Sequence, residues 1–209
     1  MSIACVVSIN VPEEYCWIFM RILRRFCVAW KKNNIELCIG TGRIENMSKD
    51  LVVYYSLEGN TEHVAEKIKE KLGADLLKLV PKKAYHDKGF AKFFWGGKSA
   101  VMAEKPEIER ISMDISGYER IIFGFPVWAS NFTPPLRTFI EDNTEKLKGK
   151  RIAAFACQSG AGAEKAFVKL AKCIGIEAFE QTAVFIDPKS KPDEKKNAQL
   201  EVFCNALMG

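Results

Sequence analysis

Residues 51–72 read LVVYYSLEGNTEHVAEKIKEKL, and the rest of the chain is best interpreted outward from them. The first five residues are apolar and rich in β-branched and aromatic side chains, which predicts a buried strand. From Thr61 onward the apolar residues have the spacing of one helix face, which predicts an amphipathic helix. Ser56, Gly59 and Asn60 lie with Thr61 at the junction, where hydroxyl and helix N–H groups suit an anion such as phosphate. Taken alone, the junction fits a capped turn without a ligand equally well.

The remainder of the chain continues to alternate strand and helix patterns. Further strands are predicted at residues 74–80, 119–125, 151–157 and 182–186. Further helices are predicted at residues 134–140, 163–174 and 191–207, with another at 89–101 inside the long connection 82–116. Strands alternating with helices are typical of a parallel sheet with right-handed crossovers and helices on both faces.

Three of the predicted strands end in polar or glycine-rich segments. The segments read SLEGNT (residues 56–61), PVWASNF (126–132) and QSGAG (158–162), after the first, third and fourth strands. In parallel α/β sheets, ligands bind outside the carboxyl ends of the strands, where the strand order reverses. We therefore expect the three segments to converge on one ligand site.

The composition excludes several classes of protein. The chain has 209 residues, 48% hydrophobic and 27% charged, which is typical of a globular protein with a substantial core. Its net charge of +5 comes without the basic and aromatic array of a nucleic-acid groove. Seven cysteines without a C-x-x-C pair, beside two histidines, predict reduced thiols in the cytoplasm and no metal site.

Motifs for other chemistries are incomplete. Residues 97–99 (GKS) resemble the end of a phosphate-binding P-loop, but Lys92 stands where that loop requires glycine. Ser159 lacks the nucleophile elbow of hydrolases, because Cys157 stands at the first glycine of that motif. No catalytic residue is therefore predicted, and we interpret Cys157 as a small core residue.

Residues 1–46 differ from the rest and admit three readings. Residues 15–30 are apolar and aromatic but interrupted by arginines, and the uncharged part is too short to span a bilayer. One reading is an amphipathic helix at a membrane surface. Its anchors would be Trp17, Phe26 and Trp30. The others are a dispensable extension, or an upstream segment assigned to the protein by error when translation starts at Met47. Met47 directly precedes the first strand of a domain over 47–209. An intact mass matching the whole chain would contradict a start at Met47.

The three strand-end segments together resemble those of the flavodoxin-like superfamily, closest to bacterial flavodoxins and flavodoxin-like NAD(P)H oxidoreductases. The resemblance covers about residues 48–208. It implies a doubly wound five-stranded parallel sheet of order 2-1-3-4-5, with FMN as cofactor. It also implies phosphate binding by the first segment, stacking of Trp128 on the isoalloxazine and main-chain contacts from the third segment. Glu58 departs from the usual hydroxyl residue, and we expect its side chain to point to solvent. The implied cofactor-binding residues are Ser56, Leu57, Glu58, Gly59, Asn60, Thr61, Pro126, Val127, Trp128, Ala129, Ser130, Gln158, Ser159, Gly160, Ala161 and Gly162.

The resemblance leaves two redox functions open. The first is a cytoplasmic FMN protein that carries electrons between redox partner proteins or small-molecule donors and acceptors. The alternative is an FMN-dependent NAD(P)H:quinone or nitro-compound oxidoreductase, favoured by the basic net charge and the aromatic residues of the 82–116 connection. A non-redox binding module that has lost FMN is disfavoured by the near-complete phosphate segment. Neither nucleic acid nor an integral membrane segment is expected.

Overall fold

The computed structural model describes residues 6–9, 27–31, 34–38, 49–83, 105–189 and 193–209. The chain divides into two compact units, Met1–Met47 and Ser48–Gly209. The helix expected at residues 89–101 lies outside the described residues.

The first unit contains a small antiparallel sheet. Its strands β1 (Val6–Ile9), β2 (Cys27–Lys31) and β3 (Asn34–Cys38) lie in the order β1-β3-β2. Trp30 lies in β2 opposite Ile35, so an amphipathic helix, one of the three interpretations of residues 1–46, does not extend to residue 30. The remainder of that stretch, residues 15–26, lies outside the described residues.

The second unit is a five-stranded parallel sheet. Its strands are β4 (Asp50–Tyr54), β5 (Asp75–Lys78), β6 (Arg120–Pro126), β7 (Arg151–Gln158) and β8 (Thr182–Ile186). They lie in the order β5-β4-β6-β7-β8 with every pairing parallel, which confirms the predicted order 2-1-3-4-5. The helices are α1 (Asn60–Leu72), α2 (Pro134–Asp142), α3 (Thr144–Leu147), α4 (Ala163–Ile174) and α5 (Glu194–Met208).

Helices cover both faces of this sheet because its central strands are apolar on both faces. Along β4, Leu51 and Val53 pack into the core formed with α2 and α4. Val52 and Tyr54 pack into the core formed with α1 and α5. Burial of each such side chain contributes about 1.5–3 kcal/mol, so the alternation holds the helices on opposite sides.

The amino ends of the strands are joined by one buried cation. Arg120, the first residue of β6, is 3% exposed. Its guanidinium donates to Asp50 Oδ2 at 2.9 Å, to Glu180 Oε2 at 2.9 Å and to the carbonyl oxygen of Leu207 at 2.6 Å. Burial raises the pKa of Asp50 despite the opposing attraction of Arg120. Arg120 therefore ties the amino ends of the strands to α5, and the three polar segments lie at the opposite, carboxyl ends.

The outer edge of β5 is followed by a short antiparallel pairing. The N–H of Lys82 donates to the carbonyl oxygen of Glu107 at 2.8 Å, and the N–H of Glu109 donates to the carbonyl oxygen of Val80 at 2.7 Å. Pro81 lies opposite Ile108 between these two bonds. None of the helices in the described part of the chain combines the length and apolar character needed to cross a bilayer.

Candidate cofactor-binding site

The carboxyl ends of β4, β6 and β7 open onto one cavity of about 400 Å³. The three polar segments converge there, as their positions after parallel strands predict. All the residues expected at the site line the cavity except Gly59, Ser130 and Gly162. Cys157 and Asp187, which were not expected there, complete the lining.

The loop between β4 and α1 has the geometry of an anion site. Gly59 has a left-handed φ of 87°, and its N–H donates to Ser56 Oγ at 3.1 Å. Thr61 is 1% exposed, and its Oγ1 has no full hydrogen-bond partner among the described residues, the Cys157 thiol being the group that interacts with it. A buried hydroxyl left without a full partner costs about 1–3 kcal/mol. Because the cavity lies at the amino end of α1, whose first N–H groups have no partner inside the helix, the loop fits a phosphate group.

The loop after β6 is a tight turn with two strained residues. Trp128 and Asn131 exchange main-chain hydrogen bonds of 3.0 and 2.9 Å. Between them, Ala129 and Ser130 have φ of 49° and 55°, a conformation that glycine adopts more easily. Non-glycine residues held there cost of order 1–3 kcal/mol each, and such strain is concentrated at functional sites. The turn places Trp128 at the cavity without the glycines that its conformation favours.

Trp128 is held by its own domain as well as exposed to the cavity. Its indole meets the ring of buried Tyr55 edge-on, with centroids 5.7 Å apart and planes at 83°. Packing on its own domain is the alternative to a role in stacking on a ligand. The structure places Trp128 in the cavity lining at the same time, so the two roles are compatible.

The loop after β7 is fixed to α4 and to the Ala129–Ser130 turn. Gln158 Oε1 accepts a hydrogen bond of 3.1 Å from the N–H of Ala163, at the start of α4. Gly162 has φ of 114°, and a Cβ on it would lie 2.6 Å from Ser130 Oγ. Gly162 and Ser130 do not line the cavity, but their close approach sets its shape.

Asp187 is the residue that sequence reasoning missed most clearly. It follows β8, has a left-handed φ of 43° and accepts a hydrogen bond of 2.6 Å from Ser159 Oγ. Its N–H donates to the carbonyl oxygen of Gln158 at 3.1 Å. The signal was available, because Asp187 is the first polar residue after a predicted strand and precedes Pro188.

The remaining ionisable groups of the cavity suit binding more than acid–base catalysis. Cys157 is 3% exposed, as a core residue should be, and burial raises the pKa of its thiol to about 12. It therefore stays protonated near neutral pH. Glu58 borders the cavity and is exposed. No group of three or more metal-ligating side chains occurs within the described ranges.

Comparisons with known proteins agree with this architecture. A flavodoxin family model matches residues 49–197. A flavoprotein from Lactobacillus acidophilus, solved in complex with FMN, is 20% identical over 73% of this chain and 98% of its own, with a TM-score of 0.56. A flavoprotein from Bacteroides eggerthii is 26% identical over 75% of this chain and 98% of its own, with a TM-score of 0.57. One from Bacteroides uniformis is 20% identical over 66% of this chain and 89% of its own, with a TM-score of 0.55. Because the matched residues make up most of the second unit, the chain belongs to the flavodoxin family.

Proposed function

We propose that the second unit binds FMN in this cavity and carries electrons between redox partners in the cytoplasm. The observation that supports FMN best is the loop between β4 and α1, where Ser56 and Thr61 line the cavity and Gly59 makes a left-handed turn beside the amino end of α1. The L. acidophilus protein, which shares the fold, is solved with FMN. The described cysteines Cys157, Cys173 and Cys204 are free thiols, which supports a reducing compartment.

The proposed contacts divide the cavity into two ends. Ser56, Thr61 and the first N–H groups of α1 would hold the phosphate, while Trp128 and the main chain of residues 158–161 would border the ring. When bound, FMN supplies the electron-transfer chemistry. The protein's own residues orient the cofactor, exclude water from it and set the charge around it.

The size of the cavity favours a carrier over a reductase. Ligand sites range over about 300–1,000 Å³, and this cavity of about 400 Å³ lies at the small end. The described lining is suited to one cofactor, as a carrier needs. The protonated Cys157 thiol adds no nucleophile to it.

The second candidate, an NAD(P)H-dependent reductase, rests on charge. Lys165, Lys169 and Lys172 are exposed on α4 at helical spacing, and Lys169 Nζ donates to the carbonyl oxygen of Ser130 at 3.0 Å. A basic helix face beside the loop after β6 suits an anionic pyridine nucleotide. Oxidation of NADH or NADPH faster than with free FMN would favour this candidate over the carrier.

Replacement of Thr61 by valine tests the FMN proposal. Valine has nearly the shape of threonine but lacks the hydroxyl, so the apoprotein should gain about 1 kcal/mol of unfolding free energy while its FMN affinity falls at least tenfold. Urea unfolding and quenching of flavin fluorescence measure the two effects. The wild-type holoprotein should show absorption bands at about 375 and 450 nm. Failure of the wild-type protein to bind added FMN would overturn the proposal.

A further inference from the structure

Lys189 extends from the segment after β8 to the loop between β4 and α1. Its main-chain N–H donates to Asn60 Oδ1 at 3.0 Å. Its ammonium nitrogen lies 2.8 Å from the point that a Cβ on Gly59 would occupy. The two contacts join segments 129 residues apart in sequence at the amino end of α1. No pattern in the sequence distinguishes this lysine from its neighbours in the KSKPDEKK stretch.

Positive charge near the proposed phosphate position would favour binding of the anion. A bound phosphate would carry about two negative charges, and the carboxylate of Asp187 borders the same cavity. The partial positive charge at the end of α1 is equivalent to about half an elementary charge, which offsets only part of that negative charge. Lys189 lies at this end of the helix, over the turn that forms the loop.

The field of Lys189 extends along the first turn of α1. The pKa of Glu62 is lowered chiefly by the hydrogen bond from Lys78, and Lys189 contributes to the same shift. The pKa of His63 is lowered chiefly by burial, with Lys67 and Lys189 adding to the effect. The ammonium of Lys189 therefore acts on groups at the amino end of the helix, where the phosphate would bind.

We infer that Lys189 is a specificity-determining residue, which favours a phosphorylated flavin over a neutral one by placing a positive charge over the Gly59 turn. The inference rests on the proposed function. Glycine at position 59 is part of the arrangement, because its left-handed φ of 87° and its missing Cβ leave the space that the ammonium occupies. A methionine at position 189 would keep the main-chain bond to Asn60 and remove the charge alone.

The test compares FMN with riboflavin, which lacks the phosphate. Both flavins are titrated into the full-length apoproteins of wild type, Lys189→Met, Lys189→Arg and Lys69→Met, at low (about 0.1 M) and high (about 1 M) salt. Lys69 is a matched control because it is exposed on the same helix, about 13 Å along the axis from Asn60, beyond the Debye length of about 10 Å at 0.1 M salt. Lys189→Met should weaken FMN binding about 3- to 10-fold at low salt and leave riboflavin binding unchanged.

The outcomes separate this inference from the function on which it rests. Lys189→Arg should restore FMN affinity, Lys69→Met should change nothing, and added salt should shrink the effect of Lys189→Met. An equal loss for FMN and riboflavin, or no loss for either, would overturn the role of Lys189 while leaving FMN binding intact. Absence of FMN binding by the wild-type protein would overturn both.

Discussion

Gly162 and Ser130 fix the position of the loop that carries Trp128. The φ of 114° at Gly162 lies in the left-handed region, and a Cβ there would lie 3.1 Å from the Cα of Ser130. Lys169 Nζ also donates a hydrogen bond of 3.0 Å to the carbonyl oxygen of Ser130. The strained turn at Ala129 and Ser130 is therefore set before any ligand arrives. Such preorganisation reduces the free energy that binding must spend on ordering the loop.

Replacement of Gly162 by alanine should disturb the cavity. Its Cβ would meet main-chain and side-chain atoms of Ser130, so we expect a loss of about 1–3 kcal/mol of unfolding free energy and at least tenfold weaker FMN binding. The control is Gly175→Ala, because Gly175 has a similar left-handed φ of 83° at the carboxyl end of α4, does not line the cavity, and a Cβ on it meets no atom within 4 Å. Chemical unfolding and flavin titration of the two variants check the prediction, and equal behaviour of the two would contradict it.

The amino end of α1 faces the cavity, and an ion pair between Glu62 and Lys78 fixes this helix to the sheet. Lys78 Nζ of β5 lies 2.6 Å from Glu62 Oε1, and the Tyr54 hydroxyl donates to the same oxygen at 3.3 Å. The hydrogen bond from Lys78 is the largest cause that lowers the pKa of Glu62. The ionised carboxylate is therefore more favourable in the folded protein than in the unfolded chain.

The bridge predicts a defined pH dependence of stability. The stabilisation from Glu62 is present above its unfolded pKa of 4.5 and is lost as the pH falls through the lower folded value. At pH 7 we expect Glu62→Gln to be less stable than wild type by about 0.5 kcal/mol, as for a partly exposed ion pair. The difference should shrink as the pH falls below 4.5 and disappear once the carboxylate of the folded protein is protonated. Glu66→Gln, which changes an exposed carboxylate one turn later, is the control, and a difference that persists in acid would contradict the prediction.

The second unit has a buried ion-pair cluster at one end of its sheet and the cavity at the other. Arg120 joins β4, β6, the segment before β8 and the end of α5 at the amino ends of the strands. The cavity lies at the opposite ends of the same strands. Stability and ligand binding should therefore respond to different substitutions.

Replacement of Arg120 by methionine tests this separation. The change leaves Asp50 and Glu180 without the cation that they share, and removal of one member of a buried ion pair costs about 3–5 kcal/mol. Arg151→Met is the matched control, because Arg151 also contacts Glu180, at 3.3 Å, but its side chain is 51% exposed and should contribute about 0–1 kcal/mol. Unfolding curves give the stabilities. FMN affinity should stay within about twofold in any variant that remains folded, and a large loss in affinity would contradict the separation.

The sequence predicts the strands and the three loops because both depend on local patterns, and the order of the sheet follows from the family resemblance that the loops carry. A buried parallel strand needs an apolar run, and loops that bind a ligand come directly after the carboxyl ends of such strands. Other features depend on contacts distant in sequence. Ala129 and Ser130 have side chains that give no sign of a left-handed conformation, and the position of Lys189 follows from how the β8 segment crosses to α1. Trp30 lies in a strand because of pairing with β3, which the apolar character of residues 15–30 does not reveal.

The pairing beyond β5 also bears on self-association. An uncovered edge strand presents N–H and C=O groups that can recruit a strand from another copy and begin aggregation. Here β5 is four residues long, Lys78 in it is exposed, and Pro81 has no N–H to offer. The segment carrying Glu107 and Glu109 occupies the adjoining main-chain groups. The chain's own segment thus occupies main-chain groups directly after β5, where a strand from another copy would otherwise extend the pairing.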